Sequence, residues 1–354
     1  MTPFASLLAV ELDWWQSTGI RLVFALVAVL LPAGATVYLY LFKMVSFMQS
    51  RLGPMEAGPY GSMQLLAEVG KNLQKEDIFP LRADRSIFAL APYIVLMSTF
   101  LLAVVIPFGP EATFTNLDTG IFFALAVSSI SVVGILMAGW ASASKYSLLG
   151  GLRAAGQLIA YELPLILAVV GVVIQAGTLN LQGIVAAQNQ QEIFGWGAIG
   201  NPFIITQIVG FLLFMIAIQA ELTQTPFDMP IAESELVTGY MTEYTGFRFL
   251  MFFIGEFATA NMFAFLGSVL FLGGWSVPPF VTDLLGIEWD SPLFNVLGPL
   301  VMLVKMLLIT AVIYWVRFTY PRFREDQLQR FAWKVLIPIA LVNIAVTGVL
   351  KVAF

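Results

Sequence analysis

The chain has 354 residues, of which 59% are hydrophobic and 11% charged, and its mean hydropathy is +0.88. Soluble domains carry roughly 25% charged residues, so this composition excludes a water-coated globule and indicates one all-α, polytopic membrane domain over residues 1–354. The net charge of −5 comes from 17 basic and 22 acidic residues with no basic block, which argues against nucleic-acid binding. The sequence has neither Cys nor His. It therefore offers no disulfide, no thiolate zinc site, no cysteine-held iron–sulfur cluster and no imidazole for haem. No cofactor is expected on this chain alone, and any electron carriers belong to other chains.

The first 19 residues carry Glu11 and Asp13 and no Lys or Arg, the reverse of the basic start of a cleavable signal peptide. Eight apolar stretches follow, most of about the 20 residues that cross hydrocarbon. They lie near residues 20–41, 87–106, 121–140, 158–176, 203–220, 249–272, 296–315 and 335–352. After the first, Gly53-Pro54 and Gly58-Pro59 stop any helix. Beyond them Met63, Leu66, Gly70 and Leu73 recur at helical spacing opposite Gln64, Glu68, Lys71, Asn72 and Lys75. That pattern predicts a short amphipathic helix, lying on the membrane surface or packed on a partner.

The loops after stretches one, three, five and seven hold 14 of the 17 basic residues, among them Lys43, Arg51, Lys145, Arg153, Arg248, Arg322, Arg324 and Arg330. Residues 107–118, 177–203 and 273–295 hold none. The positive-inside rule then puts both termini outside. Trp14, Trp15, Trp140, Trp196, Trp275, Trp289, Trp315 and Trp333 fall at helix ends or in outer loops, as an interfacial belt requires.

Ionisable residues inside a bilayer are costly and mark candidate sites. Glu162 is expected to open the fourth helix and Glu221 to close the fifth, with Glu256 inside the sixth and Lys305 in the middle of the seventh. Glu256 and Lys305 read either as a pair that locks two helices or as members of a polar path. The segment 220–248 carries Glu221, Asp228, Glu233, Glu235 and Glu243 against one Arg248. Thr225, Pro226 and Asp228 look like the N-cap, N1 and N3 positions of a helix start, although Pro230 argues against a long helix there. Neighbouring carboxylates in a partly dry site lose their protons in coupled steps, so such a set holds and passes protons without histidine.

Four runs carry a family resemblance: QSRLGPMEAGPYGSMQLLAEVGKNLQKED (49–77), GWASASKYSLLGGLRAAGQLIAYELP (139–164), AELTQTPFDMPIAESELVTGYMTEYTGFRF (220–249) and REDQLQRFAWK (324–334). In order and at the right helix ends, they resemble the quinone-chamber membrane subunit of respiratory complex I, the H subunit of bacteria and NADH dehydrogenase subunit 1 of mitochondria. The photosynthetic-membrane version is also similar, including at Ser128-Ser129.

The resemblance implies eight transmembrane helices in a subunit of a proton-translocating quinone oxidoreductase, inactive alone. It implies a cavity that receives quinone (ubiquinone, menaquinone or plastoquinone) from the lipid bilayer. The implied partners are hydrophilic-arm subunits with the terminal iron–sulfur cluster and quinone site, and neighbouring antiporter-like and small membrane subunits. By motif, Glu162, Glu221, Asp228, Glu233, Glu235 and Glu243 form the proton path, and Arg51 and Glu68 lie near the cavity mouth. Lys145, Arg153, Arg322, Arg324 and Arg330 are docking candidates, and Gln49 and Tyr146 match motif positions.

The chain departs from the family at the mouth, where Leu41-Phe42-Lys43 stands for Glu-Arg-Lys. It departs again at Gln224, usually Arg, and at Ile231, usually acidic. Each place loses charge in pairs, as a low-dielectric site permits. Two other readings are weighed: the related subunit of a membrane-bound hydrogenase, and a stand-alone ion transporter, which the large basic loops and missing inverted repeat disfavour. The expected location is the bacterial cytoplasmic membrane, with a thylakoid-type membrane as the alternative.

Overall fold

The computed structural model describes residues 14–190, 201–277 and 292–353, and every regular element among them is helical. Glu11, Asp13, Trp196 and Trp289, on which the terminal and belt readings partly rest, lie outside the described residues. Helix α1 starts at Trp14–Thr36, continues through a π-helical stretch Val37–Met44 and ends with Val45–Met48. Leu41 and Phe42 therefore sit inside α1 rather than at its end, because the apolar run resumes after Lys43 and no Gly or Pro interrupts it before Met48. Helix α2 (Gln64–Gln74) fulfils the expectation of a short helix after the Gly-Pro pairs.

Helix α3 (Arg85–Val105) is capped by Asp84, whose carboxylate accepts from Ser86 N at 3.2 Å and Ile87 N at 3.4 Å. Helix α4 runs Gly120–Ala141 with an interruption at Ser129. Helix α5 (Lys145–Ala176) is 32 residues long. It absorbs what reads as a loop in the sequence, so Lys145, Arg153 and Glu162 all ride on one helix and Glu162 lies near its middle. The reason is packing at small residues. A Cβ on Gly139 of α4 would come within 3.1 Å of the Gly151 Cα, so the two backbones are in contact. Gly177, in the left-handed region at φ +74°, ends α5 by donating to Val173 O at 2.8 Å.

Helix α6 (Leu181–Gln190) occupies part of the expected outer loop. Helix α7 (Ile208–Glu221) is separated at Gln207 from a single turn Phe203–Thr206. Helices α8 (Gly246–Phe271), α9 (Pro292–Thr319) and α10 complete the bundle. Helix α10 is formed by Glu325–Phe331, a π-helical turn Ala332–Leu336 and Ile337–Ala353. Arg330 and Lys334 thus belong to a helix.

Among the described residues seven helices are long and apolar enough to cross a membrane: α1, α3, α4, α5, α8, α9 and α10. The fifth of the eight expected spans, α7, has 14 residues and a length of about 21 Å, short of a core about 30 Å thick.

Helix α8 is the hub, with 72% of its most apolar window buried against 17% for α10. It packs on α1, α3 and α9, while α5 packs on α4, α7 and α10. Hydrocarbon is as apolar as Leu, so close fit and interhelical hydrogen bonds supply the attraction. Thr99 and Thr259 hydroxyls join α3 to α8 at 2.6 Å, Asn261 Nδ2 donates to Thr36 at 3.0 Å, and Gln207 Nε2 donates to Thr347 at 2.8 Å. Such bonds average about 0.6 kcal/mol each. Trp140, Trp315 and Trp333 are exposed near helix ends, but Trp275 is buried in the core and is no belt residue.

Candidate functional site

The acidic segment between α7 and α8 is held by tertiary contacts rather than by regular structure. The helix start expected at Thr225–Asp228 does not form. Phe227 N closes a turn onto Gln224 O at 2.7 Å, and Thr225 O is taken by Gln219 Nε2 at 2.8 Å. Only single turns follow, at Met229–Ile231, Glu233–Leu236 and Gly239–Met241. Buried Gln157 of α5 donates to both Ala220 O and Phe227 O at 2.7 Å, tying the segment to the end of α7. At Gly150 a Cβ would come within 2.6 Å of Tyr240 N, so α5 and the segment touch backbone to backbone.

Tyr244 stacks on Phe88 at 4.0 Å and donates to its carbonyl at 3.1 Å. Burial pushes the Tyr240 and Tyr244 phenols above their ordinary range, with Glu256 adding to the effect at Tyr240 and Arg248 opposing it at Tyr244. Both remain neutral across physiological pH.

The acids divide into distinct settings. Glu162 accepts from Ser129 at the break in α4. Glu221 ends α7 within electrostatic reach of Glu162, and its buried Oε2 has no hydrogen-bond partner among the described residues. Asp228 takes a two-pronged bond from Arg322, at 2.7 and 2.9 Å, and Arg322 also donates to Ser234 at 3.1 Å. The Asp228 hydrogen bond raises the Arg322 pKa. Glu235 pairs with Arg153 at 2.5 Å, Glu233 is exposed, and half-buried Glu243 is near the start of α8.

Glu256 and Lys305 do not pair. Gln224 Nε2 donates to Glu256 at 2.5 Å, while Arg317 donates to Gln224 Oε1 at 2.5 Å and lies 3.5 Å from Glu256. Gln224, the position expected to lack a charge, thus bridges a carboxylate to a guanidinium that α9 supplies. The Lys305 ammonium instead donates to Leu272, Gly274 and Ser276 carbonyls at 2.6, 2.8 and 2.6 Å. It covers orphan carbonyls at the C-terminal end of α8, a natural place for a cation.

A cavity of about 540 Å³ opens between α1, α2 and α8. Its walls include Leu30, Val37, Leu65, Phe249 and Phe253, and its rim carries Glu68, Lys71, Asn72 and Lys75. Leu41 and Phe42 pack beside it, against the cluster of Val37, Phe257 and Tyr314. Arg51 is exposed and donates to Gln49 at 2.7 Å. Met63, just before α2, and Leu66 and Leu73 on it are exposed. A more polar cleft of about 580 Å³ lies between Arg153, Glu235, Arg324, Glu325 and Asp326. Of the docking candidates, Lys145 and Arg330 are exposed, Arg324 lies 3.6 Å from Asp326, and Arg153 and Arg322 are engaged within the chain.

Sequence reasoning missed Arg317, Gln157, Gln219 and Ser129 as parts of this arrangement. Their only sequence signal is polarity within or at the edge of apolar stretches, which does not name a partner.

The model of the family described as NADH dehydrogenase matches residues 20–348. A protein of Brevibacillus brevis, named as the H subunit of NADH-quinone oxidoreductase, is 43% identical over 339 residues, covering 94% of each chain. Proteins of the same name from Anoxybacillus flavithermus and Bacillus cereus are 44% identical over 313 residues, 88% of this chain and 87% of theirs.

Proposed function

The chain belongs to the NADH dehydrogenase family and is a membrane subunit of a multisubunit NADH-quinone oxidoreductase, and from that premise we propose that it forms the chamber through which quinone arrives and the acidic path that leads protons away. Oxidation and reduction take place on partner chains, a hydrophilic arm with its iron–sulfur cluster, while this chain binds, guides and moves protons. Antiporter-like and small membrane subunits flank it.

The observation that carries the reading is the cavity between α1, α2 and α8. Its apolar walls suit an isoprenoid tail, favoured by roughly 25 cal/mol for each Å² buried, and its charged rim suits the lipid–water boundary. Leu41 and Phe42 extend the apolar side and Arg51 lies at the mouth. Exposed Met63, Leu66 and Leu73 support a placement of α2 on the membrane surface.

From the chamber, protons pass by Glu233, Glu235, Asp228 and Glu243 to Glu221 and Glu162. Charge pairing of Asp228 and Glu235 with arginines supports roles in shaping the path, and the buried oxygen of Glu221 supports a role in carrying the proton. Glu256, bridged to Arg317, continues the polar path. Lys145, Arg324 and Arg330 face the hydrophilic arm. The chain is a multi-pass membrane protein; in this reading it crosses a bacterial cytoplasmic membrane eight times, α7 included, with both termini outside.

A quinone analogue with a photoreactive group at the far end of its tail tests the portal in the assembled enzyme. Labelling is expected on α1, at residues 30–42, or on α8, at residues 249–257. Labelling confined to other helices refutes this portal. Replacing Glu221 or Glu243 by Gln is expected to lower quinone reduction and proton pumping together; normal rates and gradients in both variants refute the path.

A further inference from the structure

A second, much smaller cavity, of about 20 Å³, lies inside the bundle where α3, α4, α8 and the end of α7 meet. Ser98, Thr99, Ser128, Ser131, Thr259 and Glu221, each with a side-chain oxygen, line it. Most of the hydroxyl hydrogens are already committed. Ser98 donates to Val95 O at 2.7 Å, Ser128 to Leu125 O at 2.7 Å and Ser131 to Ser128 O at 2.8 Å. Thr99 reaches Val95 O at 3.5 Å and shares the 2.6 Å bond with Thr259. The serine oxygens therefore keep lone pairs free to accept.

Glu221 lines the same cavity, and its buried Oε2 has no hydrogen-bond partner among the described residues. A buried polar oxygen left unpaired costs about 1–3 kcal/mol. The cavity exceeds the ~10–15 Å³ that one water requires, and its walls offer the two to four polar partners that hold one.

We infer that this cavity is a site for one ordered water that pairs Glu221 Oε2 with the serine oxygens of α3 and α4. When Glu221 is a carboxylate, the water donates one hydrogen to Oε2 and the other to a serine oxygen. When Glu221 is protonated, the water turns, accepts the Oε2 hydrogen and donates both of its own to serines. No bond to hydrogen breaks in this reorientation, and the buried oxygen is satisfied in both states. Ser98, Ser128 and Ser131 are positioning residues for the water. Ser129, next to Ser128, is the partner of Glu162, so α4 meets the two acids at consecutive residues. The inference rests on the proposed reading of Glu221 as a group that changes protonation.

Infrared difference spectra of the whole assembled enzyme, recorded on quinone reduction, test both. A carboxyl band absent from Glu221→Gln is expected, together with a water O–H band that shifts in H2(18)O and disappears in Glu221→Gln. Ser98→Ala and Ser128→Ala, on different helices, are each expected to shift that water band while the Glu221 carboxyl band persists. With no Glu221 band in the unaltered enzyme, the reading beneath the inference fails. With a Glu221 band but no isotope-sensitive water band, or one indifferent to both serine variants, the inference alone fails. A Glu221 band that moves when sodium replaces potassium assigns the cavity to a cation and overturns the water.

Discussion

Asp228 and Arg322 show how a single pair anchors the acidic segment. Two hydrogen bonds of 2.7 and 2.9 Å join side chains that are 23% and 28% exposed. Hydrogen bonds to charged groups contribute about 1.5–3 kcal/mol when well formed. Asp228→Asn keeps the shape and removes the charge, so thermal unfolding of the assembled enzyme is expected to show a loss of about 1–3 kcal/mol. A double-mutant cycle with Arg322→Gln should recover most of that loss as coupling energy; additive single effects would show that the pair does not hold the loop. Lys305 carries the opposite expectation for function. Lys305→Met strands three carbonyls at the end of α8, so the melting temperature of the assembly should fall while quinone reduction per assembled enzyme stays unchanged. Lost pumping with intact stability would return Lys305 to the proton path.

Among the elements, the segment between α7 and α8 and the helix α2 respond differently to the same small change. Gly239 sits at φ +59°, and a Cβ there would fall 1.8 Å from Pro230 O. Gly239→Ala combines left-handed strain of about 1–2 kcal/mol with a clash against backbone, so the segment must shift. Faster cleavage within residues 222–245 by added protease is the expected readout, and unchanged cleavage would show a looser loop than the geometry implies. Gly70 on α2 has nothing within 4 Å of its Cβ position. Gly70→Ala is expected to stabilise α2 by about 0.5–1 kcal/mol, the helix preference for Ala over Gly, visible as slower amide exchange over Gln64–Gln74.

For the whole molecule, the choice between seven and eight crossings turns on α7. A chain without cysteine makes each introduced cysteine a unique label. Cysteines placed at Glu111 and Asn189 should react from outside, and those at Lys75, Ser144 and Gln327 from the cytoplasm. Thr238, in the segment between α7 and α8, decides the count. Cytoplasmic labelling there means that α7 crosses despite its 14 residues; external labelling means that it does not. The break at Gln207 gives a reason for a crossing by so short a helix. Gln207 is buried, its side chain bonds to Thr347 and Asn343 of α10, and its backbone bonds to Phe203 O and Phe211 N, so the break lies against protein rather than lipid.

Apolar run length and the placement of Gly-Pro pairs are properties of consecutive residues, and they alone lead to an all-helical membrane chain and the short helix α2, while the four contiguous motif runs carry the family. The acids of 220–248 were legible as a group for the same reason. Their settings were not. Glu256 finds its cation on Arg317, 61 residues away, and Lys305 finds carbonyls rather than an acid. Thr225 gives its carbonyl to the Gln219 side chain instead of opening a helix, and the polar start of α5 becomes helix because glycines let α4 approach. Each outcome was decided by tertiary structure, because in a low-dielectric interior every polar atom takes the partner that packing brings within reach, and no local window of sequence contains that partner.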